Sequence, residues 1–105
     1  MVRFQGKMNW FSCDQIIKIE PGLGSLLKDF KDEYIKDISL ILIAHLQKQG
    51  FVFFDSEYHF NKEDEFLEDG IHYCRYSDPS TEVRYRNVKG VKRVIEIGIN
   101  FRHIV

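Results

Sequence analysis

Cysteine and proline each occur only twice in these 105 residues, tryptophan once (Trp10) and alanine once (Ala44). Cys13 and Cys74 stand far apart and in neither a Cys-x-x-Cys nor a Cys-His spacing, which excludes the usual zinc frameworks and leaves two free thiols. Long hydrophobic runs are also missing. The stretch Leu40 to Ala44 is too short for a bilayer span, which needs roughly 20 residues, so no membrane partner is expected. Net charge is -1, which excludes the global electrostatic field that announces nucleic acid or membrane. The opening MVRFQGKMNWF has no apolar core of signal-peptide length and no small-residue cleavage site, so a cytoplasmic protein is expected. One alanine against twelve isoleucines suggests a low-GC coding sequence, as in many bacterial, phage or plasmid genes.

What is present is an ordinary globular composition, 44% hydrophobic and 30% charged, at a length that fits a single domain spanning 1–105. The strongest periodic signal is Ser25 to Gln49. Leu23, Leu26, Leu27, Phe30, Tyr34, Ile38, Ile41, Leu42 and Leu46 recur three and four apart and predict one long helix, with Ser25 as its N-cap after Pro21-Gly22-Leu23-Gly24 and Gly50 as its stop. Leu40 and Ile43 widen the stripe, so the C-terminal half should be buried on more than one side. Gly22 and Gly24, short of a phosphate-loop motif, read as a turn.

Before this helix, Val2 and Phe4 alternate as in a short strand. Residues 7–20 are open between a helix capped by Asn9 or Ser12 and a strand through Ile16-Ile17-Lys18-Ile19. After it, Phe51 opens a strand in which Val52, Phe54, Tyr58 and Phe60 would face the core. Asn61 would cap a short acidic helix, Lys62 to Glu68, ended by Gly70. Three strands then follow: Ile71 to Tyr76, Thr81 to Val88 after a Ser77-Asp78-Pro79-Ser80 turn, and Val91 to Ile104 after a Lys89-Gly90 hairpin, with Gly98 as a candidate bulge. The fold expected is α+β: one long central helix packed on a curved antiparallel meander of about four strands, with a short N-terminal strand/helix segment. In outline this resembles helix-grip, cystatin-like and nuclear-transport-factor-like folds, which serve inhibitors, carriers and enzymes alike and so do not choose a function.

Charge is segregated along the chain. Residues 51–70 hold one lysine against seven acids, and residues 71–105 hold seven bases against three acids. No catalytic constellation stands out. Asp55, Glu57 and His59 alternate on one strand face, but cross-strand pairing with arginines accounts for the acids as simply as a metal does. His45 reads as a boundary histidine. His72 and Cys74 share a parity without a third catalytic partner, and Glu82-Val83-Arg84 lacks the lysine of a nuclease Glu-x-Lys strand. No catalytic residue, metal or cofactor is therefore expected.

The leading expectation is a small non-enzymatic protein-binding module of the inhibitor, antitoxin, immunity or phage counter-defence type. It would occlude a partner with a basic surface through an acidic patch of Asp55, Glu57, Glu63, Asp64, Glu65, Glu68 and Asp69. A homodimer formed through the second helix face or the edge of the last strand is a variant of this. One alternative is a single-stranded nucleic-acid-binding protein using Arg84, Arg86, Lys89, Lys92 and Arg93 among Tyr73, Tyr76 and Tyr85. Parity counts against it, because a core-facing Tyr85 would be on the opposite face from Arg84 and Arg86. Another is a small enzyme or ligand-binding protein with a pocket between helix and sheet.

Overall fold

A computed structural model describes residues 4–51, 58–77 and 79–104, of which 4–7 and 101–104 by their backbone alone, and these residues form five strands and three helices. Strand β1 (Phe4–Ser12) leads directly into helix α1 (Cys13–Ile19). Ser12 decides that junction: its hydroxyl accepts from the Gln15 amide and the Gln15 side chain accepts from the Ser12 amide, a closed capping box. The strand alternative for Ile16 to Ile19 thereby gives way to a helix.

The single long helix expected from Ser25 to Gln49 is interrupted. Helix α2 runs Gly24–Lys28 and α3 runs Ile35–Lys48, with a 3-10 turn at Asp32–Tyr34 leading into α3. Phe30 supplies the reason: its side chain is buried and its amide donates to the carbonyl of Lys92, 2.8 Å away, a bond no continuous helix would allow. Tertiary pairing has overridden local periodicity. Ser25 is therefore inside α2 rather than at its cap, whereas Gly50 does end α3, at φ +96°.

Strands β2 (Asn61–Glu68), β3 (Ile71–Ser77), β4 (Thr81–Val88) and β5 (Val91–Ile104) complete an antiparallel sheet of order β1-β5-β4-β3-β2. The acidic helix expected over Lys62 to Glu68 is strand β2, and Asn61 begins a strand instead of capping a helix. Phe60, just before it, has φ +53°, and Asp69 and Gly70, at φ +51° and +78°, form a two-residue turn of the twist that joins antiparallel strands. Lys89 and Gly90 make the second such turn, at φ +53° and +86°, with the Asn87 side chain accepting from the Gly90 amide. The expected strand from Phe51 falls mostly on residues 52–57, outside the described residues.

The helices cover one face of the sheet. Ile16, Leu27, Phe30, Ile38, Leu42 and Leu46 form one buried cluster with Cys74, Tyr76, Val83, Tyr85, Ile97 and Ile99. Strand alternation then fixes the opposite face, on which Phe66, Tyr73, Glu82, Arg84, Glu96 and Gly98 stand. The irregularity in β5 is not at Gly98. Arg84 pairs with Glu96 while Tyr85 pairs with Val94, so Ile95 is the extra residue of a bulge. Gly98 has a different role: it is opposite Trp10, and a Cβ there would meet the indole Cε3 and Cζ3 at 2.8 Å. Strand β5 lies between β1 and β4, which removes its edge over Glu96 to Ile99 as a dimerisation site; among the described strands the outer ones are β1 and β2.

Candidate functional site

Four strands place one line of rings and guanidinium groups on the face that none of the described helices covers. Trp10 of β1 lies over Gly98 of β5, and the Arg84 guanidinium of β4 sits 4.0 Å from the indole centroid. The same guanidinium is 5.2 Å from the Tyr73 ring of β3. Tyr73 stacks on Phe66 of β2 at 4.8 Å with 7° between the ring planes, and Arg75 closes the line 4.9 Å from the Phe66 ring. Glu96 (2.7 Å) and Glu82 (3.4 Å) hold Arg84 in place. Each contact is modest, about 0.5–1.5 kcal/mol, but five groups in register make a rigid, partly exposed strip.

Arg86 and Arg93 extend this face towards the β4–β5 turn. They are direct cross-strand partners and both are exposed. Lys92 belongs to the other face: its ammonium lies 3.9 Å from Asp32 and 5.2 Å from the Tyr85 ring. Lys89 occupies the turn itself. Of the five basic residues expected to act together, the structure thus puts three on one surface, one in the adjoining turn and one behind it. Parity has the expected consequence for Tyr85, which is buried; Tyr76 is buried too, but Tyr73 shares the face of Arg84.

The acidic group is dispersed. Asp55 and Glu57 lie outside the described residues, which also leaves the Asp55, Glu57, His59 arrangement undescribed. Glu65 turns to the helix-covered face, where it accepts hydrogen bonds from the Tyr85 hydroxyl and Lys62; these two donors hold its carboxyl below the ordinary range. Asp64 is 3.8 Å from Arg75. Glu63 is the extra residue of a β2 bulge, Glu68 follows on the strand, and Asp69 is in the turn. A bulged, charged outer strand is also how sheets resist edge-to-edge aggregation, which accounts for these acids without a partner.

Elsewhere the candidate residues have structural roles. His45 is half-buried, its Nε2 3.2 Å from the Gln49 side-chain Nε2, and edge-on to Phe11. His72 stacks on Tyr85 at 4.8 Å, and burial pushes the Cys74 thiol pKa up, opposite to what an activated thiolate needs. Asp32 ties the α2–α3 connection to the sheet, accepting from the Tyr76 hydroxyl and Lys62, both at 3.1 Å. Between α3 and the sheet, Ile38, Leu42, Leu46, Val83, Ile97 and Ile99 are fully buried against one another. Among the described residues no helix is long and apolar enough to cross a membrane.

Sequence reasoning missed Trp10 and Phe66, and it singled out Gly98 as a bulge and not as the seat of an indole. The lone tryptophan and an isolated glycine inside a strand pattern were the available signals, since such a glycine often marks close approach of another group. No family model, curated protein or solved structure matches this chain.

Proposed function

We propose that this chain is a non-enzymatic binding module that takes single-stranded nucleic acid, in a cytoplasmic setting, on the open face of its sheet. The observation that carries the reading is the alternation of Trp10, Tyr73 and Phe66 with Arg84 and Arg75 on the face the helices leave uncovered, continued by Arg86 and Arg93. Rings offer stacking to any base and guanidinium groups offer contacts to phosphate, the combination that sequence-tolerant single-strand binders use. One end of the line is easily opened. Arg75 caps Phe66, and among the described residues its one ion pair is an exposed 3.8 Å contact with Asp64, so it can swing aside and leave the ring to a base at little cost. A duplex hides its base faces and should bind less well.

Fluorescence anisotropy with labelled single-stranded and duplex oligonucleotides at two salt concentrations tests this, with light scattering reporting any homodimer. Tighter, salt-sensitive capture of the single strand is expected. No capture of it at low salt would overturn the reading.

Occlusion of a basic protein surface is the second reading. It is favoured by Glu63, Glu68 and Asp69, which are exposed and form no ion pair among the described residues. Reversing these three charges should abolish capture of such a partner, and retained capture would remove this reading.

A further inference from the structure

We infer that Arg86 and Arg93 form a clamp for the phosphodiester backbone of the bound strand, an assignment that rests on the nucleic-acid reading and narrows it to two positions. Their side chains stand directly opposite each other on adjacent strands, where like charges repel. Ordinarily a neighbouring acid relieves such a pair. The other described arginines of this face have one: Arg75 has Asp64 at 3.8 Å, and Arg84 has Glu96 at 2.7 Å and Glu82 at 3.4 Å. Neither Arg86 nor Arg93 forms an ion pair with a described residue, and both are exposed. The sheet therefore holds two uncompensated guanidinium groups side by side, an arrangement that lowers its own stability and that a shared anion would relieve.

Position agrees with chemistry. Arg86 lies two residues beyond Arg84 on the same strand face, so a strand whose bases meet the ring line has its backbone within reach of the pair. The planar fork of a guanidinium matches two phosphate oxygens at once, which an ammonium does not. Lys92 is turned towards Asp32 on the helix-covered face and is excluded from the clamp.

The test is a salt series of anisotropy titrations with labelled oligothymidylate and its uncharged methylphosphonate analogue. Wild type, the Arg86→Gln/Arg93→Gln double variant and a Lys92→Gln control are compared, with Trp10 emission checking the fold of each. Two single-strand phosphate contacts contribute about 1.4 to the slope of log affinity against log salt, so the double variant should lose about that much while Lys92→Gln retains the wild-type slope. Wild type should bind the methylphosphonate strand more weakly than the phosphodiester, and the double variant should bind the two more nearly alike. A folded double variant with the wild-type slope would overturn the clamp and leave the nucleic-acid reading standing. Failure of wild type to bind either oligonucleotide at low salt would remove both.

Discussion

Replacing Gly98 by alanine adds one methyl group where the Trp10 indole already lies. The new Cβ would be 2.8 Å from Cε3 and Cζ3 and 3.0 Å from Cδ2 of that ring, closer than carbon atoms tolerate. These are atoms of a large side chain whose centroid is also 4.0 Å from the Arg84 guanidinium, so the indole cannot withdraw without losing that contact. Forcing a methyl group into a filled site costs about 1–3 kcal/mol. Loss of the cation–π contact adds about 0.5–1 kcal/mol. Against this, alanine is favoured over glycine within a strand by about 0.5–1 kcal/mol. The net expectation is a destabilisation of about 2 kcal/mol within a span of about 0.5–3.5 kcal/mol, which in a domain of this size lowers the melting temperature by about 4–8 °C per kcal/mol. Urea and thermal unfolding read it, and because Trp10 is the sole tryptophan its emission reports the displaced ring directly. In a Trp10→Ala background the same substitution should be neutral or slightly stabilising. A Gly98→Ala protein with unchanged stability and emission would refute the close approach of β1 and β5 at this point.

Other consequences are as direct. The Ser39 hydroxyl is fully buried in α3 with no hydrogen-bond partner among the described residues, so Ser39→Ala should raise stability by about 1 kcal/mol in urea unfolding. Ser12→Ala should lower it by about 1 kcal/mol by opening the capping box of α1. The Tyr85 hydroxyl and Lys62 hold the Glu65 carboxyl below its unfolded value, so its contribution is present above the ordinary glutamate pKa of about 4.3 and fades as pH falls through the lower folded value. Glu65→Gln should flatten that acid limb of the urea midpoint against pH. In the other direction, burial of Tyr76 and of Tyr85 and the Glu65 bond to Lys62 raise all three pKa values, so the stability they give is full below about pH 10 and is lost as pH rises beyond it.

The core was largely legible because it depends on periodicity. Leu23, Leu27, Phe30, Ile38, Leu42 and Leu46 are buried as their spacing implied, and the Lys89-Gly90 turn between β4 and β5 follows from turn chemistry alone. The break at Phe30 was not legible, since it depends on an amide reaching Lys92 of a strand far along the chain. Strand β2 was not legible because Lys62, Glu63, Asp64 and Glu65 are poor strand formers and pairing with β3 holds them extended; Gly70 fits a helix stop as well as it fits the Asp69-Gly70 turn that the structure shows. The candidate site was hidden for the same reason. Until β1 is paired with β5, nothing links Trp10 to Gly98, and until β2 is a strand, Phe66 cannot stack on Tyr73. Register, which sequence does not supply, assembles the face.

The most direct measurement is amide and arginine side-chain chemical-shift mapping of the protein titrated with a short oligothymidylate. Perturbations concentrated at Trp10, Phe66, Tyr73, Arg84, Arg86 and Arg93, with Ile38, Leu42 and Leu46 undisturbed, are the expected result. Perturbations confined to Glu63, Glu68 and Asp69, or none at saturating strand, would contradict the assignment of the open sheet face as the binding surface.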